Sequence, residues 1–313
     1  MKVLVTGATG FVGNALGEHL ATHGHRVVPA VRRKAGLADE AIVGNIDDAT
    51  DWTAALSGCN AVVHLAARVH VLHETVRDPL AEFRAVNLDG TVQLARQAAA
   101  MGVRRLVYVS TIKVNGEETQ GRPFAEDDLP RPNDPYAISK WEAEQALQRV
   151  AAETGLEVVI VRPPLVHGPG VKGNFLSMMR SVGRGLPLPL ASCVNRRSLI
   201  ALSNFVDLLK MCISHPAAAG EVFLAADGED LSTPELLRRV AKSLGRRARL
   251  FAFPPSLLRA GARLTGRDGI YVRLCGSLQV DAGKARELLG WTPPSSVDAE
   301  LARTASWFLA LNR

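Results

Sequence analysis

Short apolar segments alternate with longer amphipathic segments along the first half of the chain. The apolar segments are typical of buried strands and cover residues 2–6, 26–31, 61–65, 105–109 and 157–161. Between them, apolar residues recur at helical spacing over 11–22, 51–56, 78–101 and 136–153. This alternation predicts an α/β fold with right-handed crossovers, in which a doubly wound parallel sheet is covered by helices on both faces.

The regular alternation ends near Arg162, where proline and glycine become frequent. Such residues mark loops, so we expect a smaller C-terminal lobe to begin here. The predicted division is a first domain over 1–162 and a second lobe formed mainly by 163–197 and 221–313. A strand and a helix near 198–214 predict a return to the first domain at about 198–220. Further helices are expected over 233–243, 282–289 and 298–311.

Length and composition place the chain among ordinary globular proteins. Its 313 residues, 47% of them apolar, suffice for a main domain and a smaller lobe. The four cysteines show no C-x-x-C spacing, which predicts neither a zinc site nor a disulfide framework and favours a reduced, cytoplasmic setting. The apolar run after Met1 is too short for a signal peptide, and no segment reaches the roughly 18 apolar residues of a membrane span.

The chain carries a net charge of +6, which is modest for its size, so we expect no nucleic-acid partner. Its densest basic segment, 246–273, has seven arginines against one acid, Asp268. We interpret this segment as a solvated basic face. The alternatives are a field that attracts a phosphate-bearing substrate or cofactor, and a surface for a membrane or nucleic acid.

A glycine-rich turn, T-G-A-T-G-F-V-G, follows the first predicted strand and opens a helix. Gly7 permits a tight turn, Gly10 lets the backbone approach a pyrophosphate, and Gly13 lets the helix pack close to the strand. The helix N-terminus, with Phe11 and Val12, supplies N–H donors and a positive dipole end. The turn predicts the phosphate site of a dinucleotide cofactor in a Rossmann-type domain.

The end of the second strand bears on the choice of cofactor. An acid often holds the adenosine ribose at this position in NAD sites. Here the strand ends in Arg32 and Arg33, with no acid. Two guanidinium groups would attract a 2′-phosphate, so NADP(H) is favoured. The alternative is that both arginines are merely solvated and that NAD(H) is held by backbone contacts.

Tyr136 and Lys140 lie four residues apart in Y-A-I-S-K, at the start of a predicted helix. Their side chains therefore project from one face, one turn apart. A neighbouring ammonium and an oxidised nicotinamide would stabilise the phenolate of an acid–base tyrosine. Thr111 follows the strand at 105–109, at the edge of a parallel sheet where ligands bind, and its hydroxyl can align a substrate oxygen.

As an ordered set, the motifs of the chain resemble the extended short-chain dehydrogenase/reductase family. The matching segments are T-G-A-T-G-F-V-G, H-L-A-A (64–67), N-L-D-G-T (87–91), Y-V-S-T-I-K-V-N-G (108–116), Y-A-I-S-K, R-P-P-L-V-H-G-P-G (162–170) and L-L-G-W-T-P (288–293). The resemblance implies a Rossmann-type dinucleotide-binding domain, a substrate-binding C-terminal lobe and a UDP-sugar substrate. The family includes UDP-sugar 4-epimerases, 4,6-dehydratases and 4-ketoreductases.

The resemblance also implies roles for individual residues. Thr111 would contact the reacting sugar oxygen, Tyr136 would be the general acid–base, and Lys140 would bind the ribose and lower the pKa of the tyrosine. The other residues expected at the cofactor are Asn45, Ile46, Leu65, Ala66, Ala67, Asn87 and Pro163. The residues expected at the substrate, besides Thr111, are Lys113, Asn174, Arg197 and, more weakly, Arg273.

Several positions depart from the family pattern. Dehydratases of the family carry an Asp-Glu pair after the catalytic threonine, where this chain has Ile112 and Lys113. The absence of both carboxylates argues against 4,6-dehydration. Asn115 and His167 replace two tyrosines of the usual motifs, which predicts an altered sugar pocket. Asn45 replaces an acid that is common there, which makes adenine recognition harder to assign.

The stretch S-T-I-K-V-N-G-E resembles bacterial surface-polysaccharide enzymes that reduce UDP-4-keto-6-deoxy-N-acetylhexosamines. We therefore expect a 4-reductase of this type, with a UDP-hexose 4-epimerase as the alternative. A reductase of non-sugar substrates and a non-catalytic NADP sensor are less favoured, and a homodimer stays open. No metal is expected, because His64, His70, His73 and His167 follow no ligand spacing.

Overall fold

The computed structural model of the protein describes residues 1–69 and 78–311. Within these residues the strands are β1 (Lys2–Thr6), β2 (Arg26–Val31), β3 (Ala41–Ile42), β4 (Ala61–His64), β5 (Arg105–Val109), β6 (Glu157–Arg162), β7 (Leu165–His167), β8 (Leu199–Ala201) and β9 (Val222–Leu224). The helices are α1 (Phe11–Thr22), α2 (Thr53–Leu56), α3 (Pro79–Arg84), α4 (Gly90–Ala100), α5 (Pro135–Thr154), α6 (Gly173–Gly183), α7 (Leu202–Ser214), α8 (Thr233–Ser243), α9 (Pro255–Leu264), α10 (Asp268–Cys275), α11 (Gly283–Leu289) and α12 (Val297–Leu311).

Seven strands form one parallel sheet in the order β3-β2-β1-β4-β5-β6-β9. The order reverses between β1 and β4, which creates the crevice where ligands of this architecture bind. Val and Leu dominate the central strands because both faces of each strand are buried. The predicted fold class, a Rossmann-type doubly wound sheet, is confirmed.

One apolar core lies on each face of the sheet. On one face α1 and α7 pack through Leu16, Leu20 and Phe205. On the other face α4 and α5 pack through Leu94 and Leu147. Because both faces are covered, a ligand can approach the sheet at its edges and at the strand ends.

The longest helix begins and ends at residues with clear local reasons. The side chain of Asp134 accepts a hydrogen bond from the backbone N–H of Ala137, and Pro135 occupies the first helical position. At the other end Gly155 adopts a left-handed conformation (φ +78°), which stops α5. Asp134 and Pro135 thereby fix the start of α5, and Tyr136 lies in its first turn.

The C-terminal part of the chain has an apolar core of its own. Phe175 from α6, Leu236 from α8 and Leu301 from α12 are buried together. Beside it, β7 and β8 form a separate two-stranded parallel sheet. No helix within residues 1–69 and 78–311 is both long enough and apolar enough to cross a membrane.

The structure refines several predicted elements. The helix predicted over 78–101 is α3 and α4 joined by a π-helical turn at Ala85–Asp89. In the predicted return segment, α7 packs on the main sheet, whereas β8 pairs with β7 in the separate two-stranded sheet. The seventh strand of the main sheet is β9, just after that segment. The division into two functional lobes stays a prediction.

Candidate active site

The glycine turn between β1 and α1 leaves no room for a side chain at Gly7 or at Gly13. Gly7 has a φ of +65°, and a Cβ there would lie 2.9 Å from the backbone nitrogen of Ala66. A Cβ on Gly13 would lie 2.1 Å from the carbonyl oxygen of Gly7. Gly10, which precedes Phe11 and Val12, provides no side-chain cap, so the first N–H groups of α1 are available to an anion. These features fit the pyrophosphate of a dinucleotide.

A buried histidine holds the neighbouring loop against this turn. His64 contacts the hydroxyls of Thr6 (2.7 Å) and Thr91 (3.0 Å), and Thr91 in turn donates to the carbonyl of Asn87. Thr6 accepts hydrogen bonds from the N–H groups of Leu65 and Ala66. Burial lowers the pKa of His64 to about 3, so the ring is neutral at physiological pH. His64 therefore positions the loop of Leu65, Ala66 and Ala67 by hydrogen bonding and not by charge.

Asn87 connects the same loop to α5. It lies in the π-helical turn and is buried. Its side chain accepts from the N–H of Arg68 (2.8 Å) and donates to the carbonyl of Arg68 and to the hydroxyl of Ser139 (each 3.0 Å). Single π-helical turns occur frequently at functional sites. The sequence indicated Asn87 only through the family resemblance, whereas the structure gives it a clear structural function.

The residues expected at the adenine end lie near the outer strands of the sheet. Arg32 and Arg33 directly follow β2 and are exposed. Asn45 is exposed, and its carbonyl accepts a hydrogen bond from Thr50. The side chain of Ile46 packs so close to Gly90 that a Cβ there would lie 2.5 Å from its Cγ2. Because Arg32 and Arg33 are exposed, their guanidinium groups are accessible to an anionic ligand.

Lys140 fastens α5 to the end of β5. Its ammonium donates to the carbonyl of Val109 (2.7 Å) and lies 4.2 Å from the centre of the Tyr108 ring. Burial lowers the pKa of Lys140 to about 7, although the negative charge of Glu144 acts in the opposite direction. Tyr136 lies one turn earlier on α5, and its ring meets that of Phe83 edge-on.

The pKa of Tyr136 is raised, chiefly by burial and also by the charge of Asp134. This direction is opposite to the one that an acid–base tyrosine needs and that the sequence analysis expected. The physical reason is that burial removes water from the phenolate before a second positive charge is present. An oxidised nicotinamide, when bound, carries such a charge.

The ends of β5 and β6 bring Thr111 beside Pro163. The N–H of Ser110 donates to Val161 (2.8 Å), and that of Ile112 donates to Pro163 (3.0 Å). Thr111 is buried and caps a short 3₁₀ turn by accepting from the N–H of Lys113. Thr111, expected at the substrate, and Pro163, expected at the cofactor, are thereby held at the same edge of the sheet.

Below this edge lies a buried polar network that the sequence analysis did not predict. Glu144, one turn beyond Lys140, pairs with Arg162 at 2.5 Å, and both side chains are almost fully buried. Glu144 also accepts from Ser110, and Arg162 donates to the side chain of Asn115 (3.0 Å). Asn115, expected to alter the sugar pocket, is itself buried within the network and donates to the carbonyl of Ala125.

The predicted substrate residues occupy different environments. The ammonium of Lys113 pairs with Asp134 (2.5 Å) and Glu117 (3.2 Å). Arg197 is partly buried and donates to the carbonyl of Gly276 (3.0 Å). Asn174 in the first turn of α6 and Arg273 on α10 are both exposed.

The histidines form no metal centre within the described part of the chain. No group of three or more His, Cys, Asp or Glu side chains there is arranged to hold an ion. His167 is buried and its ring stacks on Phe175 with centroids 5.3 Å apart. His70 and His73 lie outside the described residues.

Comparisons with known proteins identify the family. The sequence profile of the NAD dependent epimerase/dehydratase family matches residues 3–226. The chain is 43% identical to a UDP-glucose 4-epimerase of Vibrio cholerae, across 99% of this chain and 96% of that one. It is 26% identical to an N-acetyl-α-D-glucosaminyl-diphospho-ditrans,octacis-undecaprenol 4-epimerase of Escherichia coli O157:H7, across 98% and 95%.

A solved structure shares the fold over the full length of the chain. MoeE5 in complex with UDP-glucose and NAD superimposes with a TM-score of 0.80 and 26% identity, covering both chains completely. The protein belongs to the NAD dependent epimerase/dehydratase family, within the extended short-chain dehydrogenase/reductase class that the motifs resembled. It is accordingly an enzyme that uses a nicotinamide cofactor, and not a non-catalytic sensor.

The buried network generates a stability prediction. Glu144→Ala leaves the Arg162 guanidinium buried without its partner, so we expect a loss of about 3–5 kcal/mol in the free energy of unfolding. Glu142, also on α5, pairs with Arg84 near the surface, and Glu142→Ala should cost about 1 kcal/mol or less. Chemical denaturation measures both variants. Equal losses would show that the Glu144 pair is no more important than a surface pair.

Proposed function

We propose that the protein is a UDP-hexose 4-epimerase that acts through Thr111, Tyr136 and Lys140. The observation that carries this proposal is the full-length similarity to the Vibrio cholerae enzyme, together with an intact Thr/Tyr/Lys set on the elements at the edge of the sheet. The complex of MoeE5 with UDP-glucose adds support for a UDP-sugar substrate. The coarser assignment, to an NAD(P)-dependent oxidoreductase of nucleotide-linked sugars, does not depend on which C4 reaction is catalysed.

The proposed chemistry is proton transfer at the sugar C4 oxygen. The phenolate of Tyr136 accepts the proton of the C4 hydroxyl and later returns it, and Thr111 hydrogen-bonds the same oxygen and aligns it. Lys140, held by the carbonyl of Val109, contributes positive charge that favours the phenolate. A bound nicotinamide would accept the hydride from the C4 carbon and return it.

The cofactor site that we propose consists of the glycine turn, the loop held by His64, and the ends of β2 and β6. Its members are Gly7, Gly10, Phe11, Val12, Gly13, Arg32, Arg33, Asn45, Ile46, Leu65, Ala66, Ala67, Asn87, Tyr136, Lys140 and Pro163. The steric limits at Gly7 and Gly13 support a pyrophosphate close to the backbone. For the substrate we propose Thr111, Lys113, Asn174, Arg197 and Arg273.

A 4-reductase of UDP-4-keto-6-deoxy-N-acetylhexosamines is the second candidate. The observation that favours it is the pair of exposed arginines after β2, because NADP(H) suits an enzyme that consumes its reductant. The stretch S-T-I-K-V-N-G-E supports the same assignment. Neither candidate needs the carboxylates that a 4,6-dehydratase would have at the positions of Ile112 and Lys113.

Product analysis distinguishes the two candidates. The purified protein is incubated with UDP-glucose or UDP-N-acetylglucosamine and catalytic NAD(P), and the C4 epimers are followed by NMR. Interconversion without net change in cofactor absorbance is the result expected of an epimerase. Stoichiometric consumption of NAD(P)H with a UDP-4-keto-6-deoxy sugar, and no interconversion of the hexoses, would instead establish the reductase.

Tyr136→Phe removes the proposed acid–base hydroxyl and keeps the ring. We expect kcat to fall by about two to four orders of magnitude, because one positioned acid–base contributes about that much. Cofactor affinity, measured by fluorescence titration, should be retained. A variant that keeps more than about a tenth of the turnover would contradict the assigned role.

Arg32→Ala/Arg33→Ala tests cofactor choice. The loss of charge-assisted hydrogen bonds should weaken NADPH binding by about 1.5–3 kcal/mol and leave NADH binding nearly unchanged. Arg26→Ala, at the opposite end of β2, is the matched control. Calorimetric titration with both cofactors measures the effect, and equal losses for NADPH and NADH would remove the basis for an NADP(H) preference.

Arg197→Ala tests the proposed contact with the substrate diphosphate. Its guanidinium is partly buried, and its backbone is fixed on both sides by hydrogen bonds with Leu231. We expect kcat/KM for a UDP-sugar to fall by the equivalent of about 1.5–3 kcal/mol. The exposed neighbour Arg196 provides the control variant, Arg196→Ala. If only cofactor affinity changes, the diphosphate binds elsewhere.

A further inference from the structure

A pair of short helices leaves apolar side chains exposed on the C-terminal part of the protein. Neither α9 nor α10 contains a buried residue. Leu257 is 60% exposed and Leu264 is 88% exposed, and two turns of α9 separate them, so they share one face. Leu258 lies on another side of α9 and packs against the core of the C-terminal lobe. The helix therefore rests on the lobe with one apolar face uncovered.

Other exposed apolar residues lie on the neighbouring segments. Ile270 on α10 and Phe251 before α9 are both about half exposed. Val194, which is almost completely exposed, follows Cys193, and the thiol of Cys193 contacts that of Cys275 at the end of α10. Exposed apolar patches of this kind mark interaction sites. We name the exposed side chains Leu257, Leu264 and Ile270 of the two helices, together with Arg259, Arg263 and Arg267, the α9–α10 surface.

This surface carries a net positive charge, because it has three arginines and one neighbouring carboxylate. The segment 246–273 holds seven arginines and one acid, Asp268. Arg259 and Arg263 share that carboxylate, at 3.8 and 3.5 Å, so their charge is only half neutralised. Arg267 is exposed as well. Exposed leucines beside arginines that keep a net positive charge are the pattern of a helix that lies in the interface of an anionic bilayer.

We propose that the α9–α10 surface docks the protein onto anionic membrane lipids. A second copy of the chain would bring a like-charged surface, which opposes self-association through this face. A nucleic acid would match the charge but offers no apolar phase for Leu257 and Leu264. A bilayer with anionic headgroups satisfies both features, because the leucines enter the acyl boundary while the arginines contact the headgroups.

The α9–α10 surface lies next to a residue that we propose contacts the substrate. Gly276, directly after α10, accepts the hydrogen bond of Arg197, so the α9–α10 surface adjoins the proposed diphosphate contact. Docking would hold this part of the protein at the lipid surface. The inference goes beyond the proposed function and does not depend on which C4 reaction is catalysed.

Vesicle co-sedimentation of the full chain tests the proposal. Wild-type protein should bind vesicles of phosphatidylglycerol and phosphatidylcholine, bind pure phosphatidylcholine at least about tenfold more weakly, and lose affinity as salt increases. Equal binding to both vesicles, or none to either, would overturn the proposal.

Two variants separate the apolar and the charged contributions. Leu257→Ser/Leu264→Ser should lower vesicle affinity by about tenfold or more, since two apolar side chains no longer leave water. Ile42→Ser is the matched control, because Ile42 on β3 is also 60% exposed. Arg263→Gln/Arg267→Gln should lower affinity by a similar factor, whereas Arg96→Gln/Arg149→Gln, on α4 and α5, removes the same charge elsewhere and should have little effect.

The same variants identify any other occupant of the surface. All four variants should keep the wild-type unfolding temperature and the wild-type turnover of a soluble UDP-sugar. Unchanged unfolding would show that the variants fold. Unchanged turnover would show that a loss of vesicle binding is independent of the proposed catalytic function. Controls that weaken vesicle binding as much as the α9–α10 variants would overturn the proposal. So would a dimer in sedimentation that the leucine substitutions abolish, or binding to DNA in preference to vesicles.

Discussion

The buried ion pair between Glu144 and Arg162 is the interaction on which the geometry of the site depends. It joins α5, which carries Tyr136 and Lys140, to the end of β6, which leads into Pro163. Two charges removed from water are tolerated only when good geometry and further hydrogen bonds compensate the desolvation. Ser110 and Asn115 supply those hydrogen bonds. The pair therefore admits few alternative positions of α5 relative to the strand ends.

The side of the crevice where we propose that the cofactor binds is organised by neutral hydrogen bonds. His64 is deeply buried and uncharged, and it connects the hydroxyls of Thr6 and Thr91. Asn87 continues this connection to the hydroxyl of Ser139 on α5. A chain of satisfied buried polar groups is rigid because each unmade bond would cost the full desolvation of its atoms. The glycine turn, which tolerates no Cβ at Gly7 or Gly13, is thereby held close to the loop of Ala66.

The electrostatic state of the site is incomplete in the chain alone. Burial lowers the pKa of Lys140 to about 7 and raises that of Tyr136, so burial disfavours the charged form of each group in the protein by itself. Both shifts have the same cause, which is the exclusion of water that also strengthens every charge interaction in the site. These two pKa shifts fit the proposed function, in which Tyr136 can lose its proton only when the cationic cofactor is bound.

The sequence by itself determined the elements and motifs that depend on local signals. The helices at Phe11–Thr22 and Thr233–Ser243 have the predicted ends, because apolar periodicity begins directly after Gly10 in the first and directly after the capping Ser232 in the second. The Tyr136/Lys140 spacing and the glycine turn are equally local. Only the tertiary structure decided the Glu144–Arg162 pair, the hydrogen bonds of His64, the pairing of β7 with β8 and the uncovered face of α9. Each of these depends on burial or on contacts between segments distant in sequence, and neither periodicity nor residue spacing specifies which distant groups meet or which faces stay exposed.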